Sequence, residues 1–244
     1  NSFPEKSEKE ILAIEAKFYS HLCDLVVESL KAFSISLEDA KTRMKDRNIE
    51  VVNQHFKQGR QVVLVGGHYG NWELFAITIG ATTAHKTLAL YTPLKNKFIN
   101  EKITESRSKY GLGMLSITEI KSKLNDINSD LYAIIFGADQ SPRKSQRAYW
   151  MKFLNQETGI QFGTEKFAKE FNAVVIFTNI YKVKRGYYEL QYDVITEQPN
   201  EEAVGFISKT HTKMLENVIQ QQPEYWLWSH KRWKHKRPEG EVLN

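Results

Sequence analysis

Apolar residues recur at three- and four-residue steps near the start of the chain: Ile11, Ile14, Phe18, Leu22, Leu25, Val26, Leu30 and Phe33. This periodicity predicts an amphipathic helix with one face on the core, and Ser7 followed by Glu10 provides a capping box at its start. Two shorter helices over 37–45 and 50–57 complete a helical layer that ends at Gly59. From Gln61 the pattern becomes short apolar runs alternating with amphipathic stretches. Strands are predicted over 61–65, 87–91, 131–136 and 174–179, and helices over 71–79, 97–110, 118–128 and 164–171. Arg185-Gly186 separates two β-rich runs, 173–184 and 187–195, which predicts an antiparallel hairpin at one sheet edge. A long helix over 201–222 and a Trp-rich basic tail over 223–244 follow. The fold class is α/β: a mostly parallel central sheet flanked by helices, with an N-terminal helical layer. One domain is expected, divided into the helical layer (1–60), the α/β core (61–222) and the tail (223–244).

Composition narrows the classes of function. An apolar content of 41% over 244 residues supplies a normal core, and Cys23 alone makes neither an internal disulfide nor a Cys-rich metal cluster. No apolar run reaches the roughly 18–20 residues of a membrane-spanning helix. The net charge of +5 matches what the tail alone carries: Lys231, Arg232, Lys234, Lys236 and Arg237 stand together without an acid. A further acid-free stretch holds Arg143, Lys144, Arg147 and Lys152, and a mixed one holds Lys95, Lys97, Lys102, Arg107 and Lys109 against Glu101 and Glu105. Clustered cations imply an anionic partner, whether nucleic acid, a lipid surface or an acidic carrier protein.

The stretch with chemical content is Val62-Val63-Leu64-Val65-Gly66-Gly67-His68-Tyr69-Gly70-Asn71-Trp72-Glu73. A buried strand runs into two glycines and a histidine, then into a helix whose first turn holds Asn71 and Glu73; open α/β sheets bind ligands at such strand ends. Five residues apart on one helix, His68 and Glu73 would be about 140° out of phase. With His68 in the loop, Glu73 can reach one ring nitrogen while the other faces a substrate. The same residues also fit a turn histidine and an acid that complements the helix dipole. No two-histidine metal spacing, Gly-x-Ser-x-Gly elbow or P-loop is present, so no metal and no cofactor are expected.

The block His68-Tyr69-Gly70-Asn71-Trp72-Glu73 resembles the His-x4-Asp/Glu motif of the glycerolipid and lipid A acyltransferases. Further landmarks resemble the lipid A late (secondary) acyltransferase branch: Tyr91-Thr92-Pro93-Leu94-Lys95-Asn96, Arg107-Ser108-Lys109-Tyr110-Gly111, Ala138-Asp139-Gln140-Ser141-Pro142 and the tail from Pro223 to Lys234. Ser2-Phe3-Pro4-Glu5 resembles the segment just after that branch's membrane anchor, so an anchor is expected upstream of this chain. Phospholipid acyltransferases place Pro-Glu-Gly after a core strand, where this chain has Asp139-Gln140; its own Pro238-Glu239-Gly240 lies in the tail.

The resemblance implies a glycerolipid-acyltransferase-like fold and transfer of a fatty acyl group from an acyl carrier protein thioester to a hydroxyl of a lipid A precursor. The location it implies is the cytoplasmic face of the Gram-negative inner membrane. It makes His68 the general base and Glu73 its orienter, and offers Gly70, Asn71 and Arg107 as oxyanion or substrate donors. Asp139 and Gln140 would line the cleft, Asp139 holding Arg107 or a sugar hydroxyl. Trp228, Lys231, Arg232, Trp233 and Lys234 would meet headgroups or the membrane surface. The alternatives are a lysophospholipid or aminolipid acyltransferase with the same machinery, and a non-enzymatic peripheral membrane or nucleic-acid binding module. No stacking platform accompanies the basic tail, so nucleic acid is not expected as a partner. The reading requires His68 and an acid to converge beside an apolar crevice.

Overall fold

The computed structural model describes residues 1–123, 127, 129–143 and 148–244. In chain order the elements are α1 (Glu8–Ala32), α2 (Leu37–Arg43), β1 (Met44–Asp46), α3 (Glu50–Lys57), β2 (Val62–Gly66), α4 (Trp72–Thr82), β3 (Lys86–Tyr91), α5 (Lys97–Ser108) and β4 (Leu112–Ser116). They continue with β5 (Tyr132–Gly137), β6 (Ala148–Phe153), β7 (Gln156–Gln161), α6 (Gly163–Glu170), β8 (Val174–Lys184), β9 (Tyr187–Thr196) and α7 (Phe206–Gln221). Among the described residues a seven-stranded sheet runs β1-β9-β8-β2-β5-β3-β4. The strands from β8 through β4 are mutually parallel, and β9 returns antiparallel to β8 through the hairpin at Arg185-Gly186. This is the expected α/β class. Of the helix expected over 118–128, Ile120–Lys123 is a 3-10 turn and Ile127 is α-helical, with 124–126 and 128 outside the described residues.

β2 is central and buried on both faces, which is why it reads as an unbroken apolar run. Val62 and Leu64 join a core with α4 residues Leu74 and Ile77, while Val63 and Val65 face the opposite core with α6 residues Phe167 and Ala168. The chain leaving β2 passes through α4 to one side of the sheet. The chain leaving β5 passes through the β6–β7 hairpin and α6 to β8 on the other side. The two connections diverge at the carboxyl ends of neighbouring strands, the switch point at which open α/β sheets hold ligands.

α1 starts at its capping box, the Ser7 backbone N–H donating to Glu10 Oε2 at 2.9 Å. Its buried face differs from the expected stripe. Phe18 and Leu25 are buried, but Ile11, Val26, Leu30 and Phe33 are exposed, and His21 and Asp24 turn inward. The inward polar groups have partners that override the apolar periodicity. His21 Nε2 lies 3.3 Å from Gly70 O, and Asp24 accepts from Lys182 and Arg185. Glu28 accepts from Asn71 and Tyr188.

α4 packs tightly on the β4 side. A Cβ on Gly80 would sit 2.6 Å from the Gly111 carbonyl carbon and the Leu112 nitrogen, which are backbone atoms unable to yield locally. Gly80→Ala is therefore expected to destabilise the fold by about 1–2 kcal/mol, although alanine favours a helix interior. The urea unfolding midpoint reads this; an unchanged or higher midpoint contradicts the close approach.

Candidate active site

Strand register places the two central side chains. Gly66 at the end of β2 pairs with Gly137 at the end of β5. His68 and Asp139 each follow two residues after the paired glycines, so they leave the sheet at the same level on adjacent strands. His68 Nδ1 lies 2.7 Å from Asp139 Oδ1, and the His68 backbone N–H donates to Asp139 Oδ2 at 2.9 Å. Trp226 Nε1 from the C-terminal segment also donates to Oδ2, at 2.9 Å. The glycines make room: a Cβ on Gly137 would come 3.0 Å from His68 Cε1, and one on Gly66 would meet Thr178 O at 2.7 Å.

The charges of the pair follow from these contacts. Burial opposes ionisation of Asp139, but the His68 charge and the three N–H donors outweigh it and hold the carboxyl at about 2. An ionised carboxylate only accepts, so Nδ1 carries the proton and Nε2 is left bare. Burial also opposes protonation of His68, yet the Asp139 charge and hydrogen bond outweigh it and raise the imidazole above its ordinary value. The ring keeps a quarter of its side-chain surface open. Gln140 Nε2 stands 3.5 Å from His68 Nε2, and Trp72 meets the ring edge-on with centroids 5.3 Å apart.

Glu73 does not orient His68. Its carboxylate is gripped by Arg107, Nε to Oε2 at 2.8 Å and Nη2 to Oε1 at 2.5 Å, and it also accepts from Trp72 Nε1 at 3.1 Å. Glu73 sits one turn inside α4 and faces the last turn of α5, while the strand register brings Asp139 to Nδ1. Asp139 therefore holds His68 instead of Arg107 or a sugar hydroxyl. The Gly70 N–H and the Asn71 side chain serve the turn itself. Gly70 has φ +61 and gives its N–H to Tyr225 O, and a Cβ there would meet Ile180 Cγ2 at 2.8 Å. Asn71 caps α4 by accepting from Leu74 N–H and donates to Glu28. Arg107 commits Nε and Nη2 to Glu73. Sequence reading missed the dyad, whose signal is the matched offset of Gly-Gly-His and Gly-Ala-Asp from two strand ends.

The tail is part of the folded body. Trp226 and Arg232 are buried; Trp228 and Trp233 are half-buried in a cluster with Phe3, Phe153 and Leu215. Trp228 Nε1 donates to Pro223 O, Trp233 Nε1 to Thr158 Oγ1 and Arg232 Nη2 to Gly159 O, at 2.6, 2.8 and 2.8 Å. These three side chains are thus turned inward rather than toward headgroups, because the indoles fill an apolar cluster and their N–H groups find buried acceptors. Lys231 and Lys234 are exposed and remain available to an anion. Of the other basic stretch, Arg143 donates to Thr92 Oγ1, and Lys144 and Arg147 lie outside the described residues. A void beside Asp139 has a volume of about 10 Å³, far too small for an acyl chain.

The sequence profile of the bacterial lipid A biosynthesis acyltransferases matches residues 1–235. The chain belongs to that family. It is an acyltransferase of lipid A biosynthesis, and the family implies a lipid A precursor and an acyl donor as its substrates. No curated protein matched the chain. Among the described residues of this lipid A acyltransferase, no helix is long and apolar enough to cross a membrane.

Proposed function

We propose that the enzyme moves a fatty acyl group from an acyl carrier protein thioester to a hydroxyl of a lipid A precursor, with His68 as general base and Asp139 holding its ring. The observation that carries this reading is the 2.7 Å contact from Nδ1 to a buried carboxylate, which leaves Nε2 without the ring proton in a side chain that keeps a quarter of its surface open. The acceptor hydroxyl gives its proton to Nε2 as its oxygen bonds to the thioester carbonyl carbon. Asp139 stabilises the imidazolium that forms. The tetrahedral intermediate then collapses, the C–S bond breaks, and the thiolate takes the proton back from Nε2. The Gln140 amide beside Nε2 and the guanidinium of Arg107 are the side-chain donors we assign to the oxyanion or the substrate; one well-placed donor contributes about 3–4 kcal/mol. The Glu73–Arg107 pair holds α5 against α4 at the edge of the site.

A location on the cytoplasmic face of the inner membrane fits a lipid acceptor. The outward face of α1 supports it, since Leu12, Tyr19, Val26, Val27 and Leu30 are exposed there, opposite the buried side of the helix.

The test is to incubate the enzyme with acyl carrier protein thioesters and a lipid A precursor and to weigh the products. The expected product is heavier than the precursor by one acyl group. Transfer only to a lysophospholipid, only from coenzyme A thioesters, or not at all contradicts the assignment. The base must be neutral to act, so kcat/KM is expected to rise with pH through an acid limb above the ordinary imidazole value. The stability linkage has the opposite sign. The raised pKa of His68 stabilises the fold fully below its unfolded value, and that contribution is lost as pH rises through the folded one. A limb at or below the ordinary imidazole value contradicts the pairing.

A further inference from the structure

We propose that Arg232 is a positioning residue whose buried charge balances that of Asp139 and so keeps His68 in its proton-accepting form. The inference rests on the proposed role of His68 as base.

Arg232 is 3% exposed, an unusual place for a guanidinium in a tail of solvated cations. Among the described residues its side chain makes one hydrogen bond, to the neutral carbonyl of Gly159, and its buried Nε has no partner. Burying a cation without a carboxylate is costly unless a nearby field compensates. Arg232 and Asp139 line the same void of about 10 Å³, together with His211 and apolar side chains such as Phe153 and Leu215. That volume admits one water at most, so the two charges act on each other through protein rather than bulk solvent. Burial pushes Arg232 down to about 10, and Asp139 is the charge that opposes the fall.

The charges around the dyad can be followed from every side. From α7, His211 is held neutral by burial, at about 4. From the tail, burial lowers His230, whose Nε2 accepts from the Ser141 N–H. From α4 and α5, Glu73 and Arg107 act on His68 with opposite signs and offset each other through their ion pair. Asp139 and Arg232 are left as the pair of opposite buried charges that line one void. With Arg232 in place, the resting site is neutral when His68 is neutral. Without it, Asp139 has only His68 to balance its charge, and the ring holds a proton too firmly to serve as base.

Arg232→Met and Arg232→Gln are expected to move the acid limb of kcat/KM upward by about one pH unit. Below the limb that is about a tenfold loss of rate. Arg232→Lys, which keeps the charge but alters the bond to Gly159, should leave the limb near its original pH. The same ordering should appear when the His68 ring is titrated by NMR without substrate, a readout that stands even if the acyl acceptor is misassigned. The proposal is overturned if a folded neutral variant titrates His68 like the parent, or if the lysine variant shifts as far as the neutral ones. It also falls if both neutral variants fail to fold while the lysine variant folds, since Arg232 is then a structural strut.

Discussion

Acyl transfer by Asp139→Asn is expected to fall about 10³–10⁴-fold with the fold intact. Asp139 Oδ2 accepts from two N–H groups, the His68 backbone and Trp226 Nε1, while Oδ1 accepts from the ring. An amide at this position keeps its oxygen toward the two fixed donors and turns its NH2 toward Nδ1. The ring nitrogen must then accept, and the proton moves to Nε2, the atom that has to take the hydroxyl proton. The geometry survives while the tautomer is wrong for catalysis. His68→Ala should lose as much, and the double variant little more, because the two side chains act as one unit. Turnover measured on the three variants decides it. A double loss equal to the product of the single losses would show that the residues act separately.

Loss of the Arg107 side chain should produce the largest drop in stability. The guanidinium grips Glu73 through two bonds at a site where the side chains keep only 24% and 21% of their surface. Removing it leaves a half-buried carboxylate against Trp72 with no cation. Partial exposure softens the penalty, so Arg107→Ala is expected to cost about 3 kcal/mol in urea unfolding. The double variant Glu73→Ala/Arg107→Ala should cost less than the two single losses together, since neither charge is then stranded. Arg107→Ala should also raise the pH of the acid limb, because Glu73 is left to favour imidazolium at His68. Additive losses, or an unshifted limb, contradict this account of the pair.

What the sequence makes legible is local. Buried parallel strands are near-continuous apolar runs, so β2, β3, β5 and β8 lie within a residue of their predicted starts. The hairpin at Arg185-Gly186 is written in its turn residues. The β6–β7 hairpin is not: Trp150, Met151 and Phe153 are all buried, so the strand shows no alternation. Its turn uses Leu154 and Asn155 at φ 47 and 62, with the Leu154 N–H held by Glu216 at 2.5 Å. A leucine in that conformation carries no turn signal. The inward face of α1 is hidden for a similar reason, its polar residues being buried by partners on other elements, from 43 to 161 positions away. At the site, His68, Glu73, Arg107 and Asp139 stand out as residue types at strand and helix ends. Their pairing depends on which strands are neighbours and in what register, a long-range property that no window of sequence contains. The His-x4-Glu motif draws the eye to Glu73, whereas the register delivers Asp139.

The most direct test of the dyad is the ¹⁵N NMR signature of the His68 ring in the parent chain and in Asp139→Asn and Glu73→Gln. Above the titration point, the account predicts a protonated Nδ1 and a bare Nε2 in the parent and in Glu73→Gln, and the opposite tautomer in Asp139→Asn. A parent ring protonated at Nε2, or a tautomer that inverts with Glu73→Gln and not with Asp139→Asn, would contradict it.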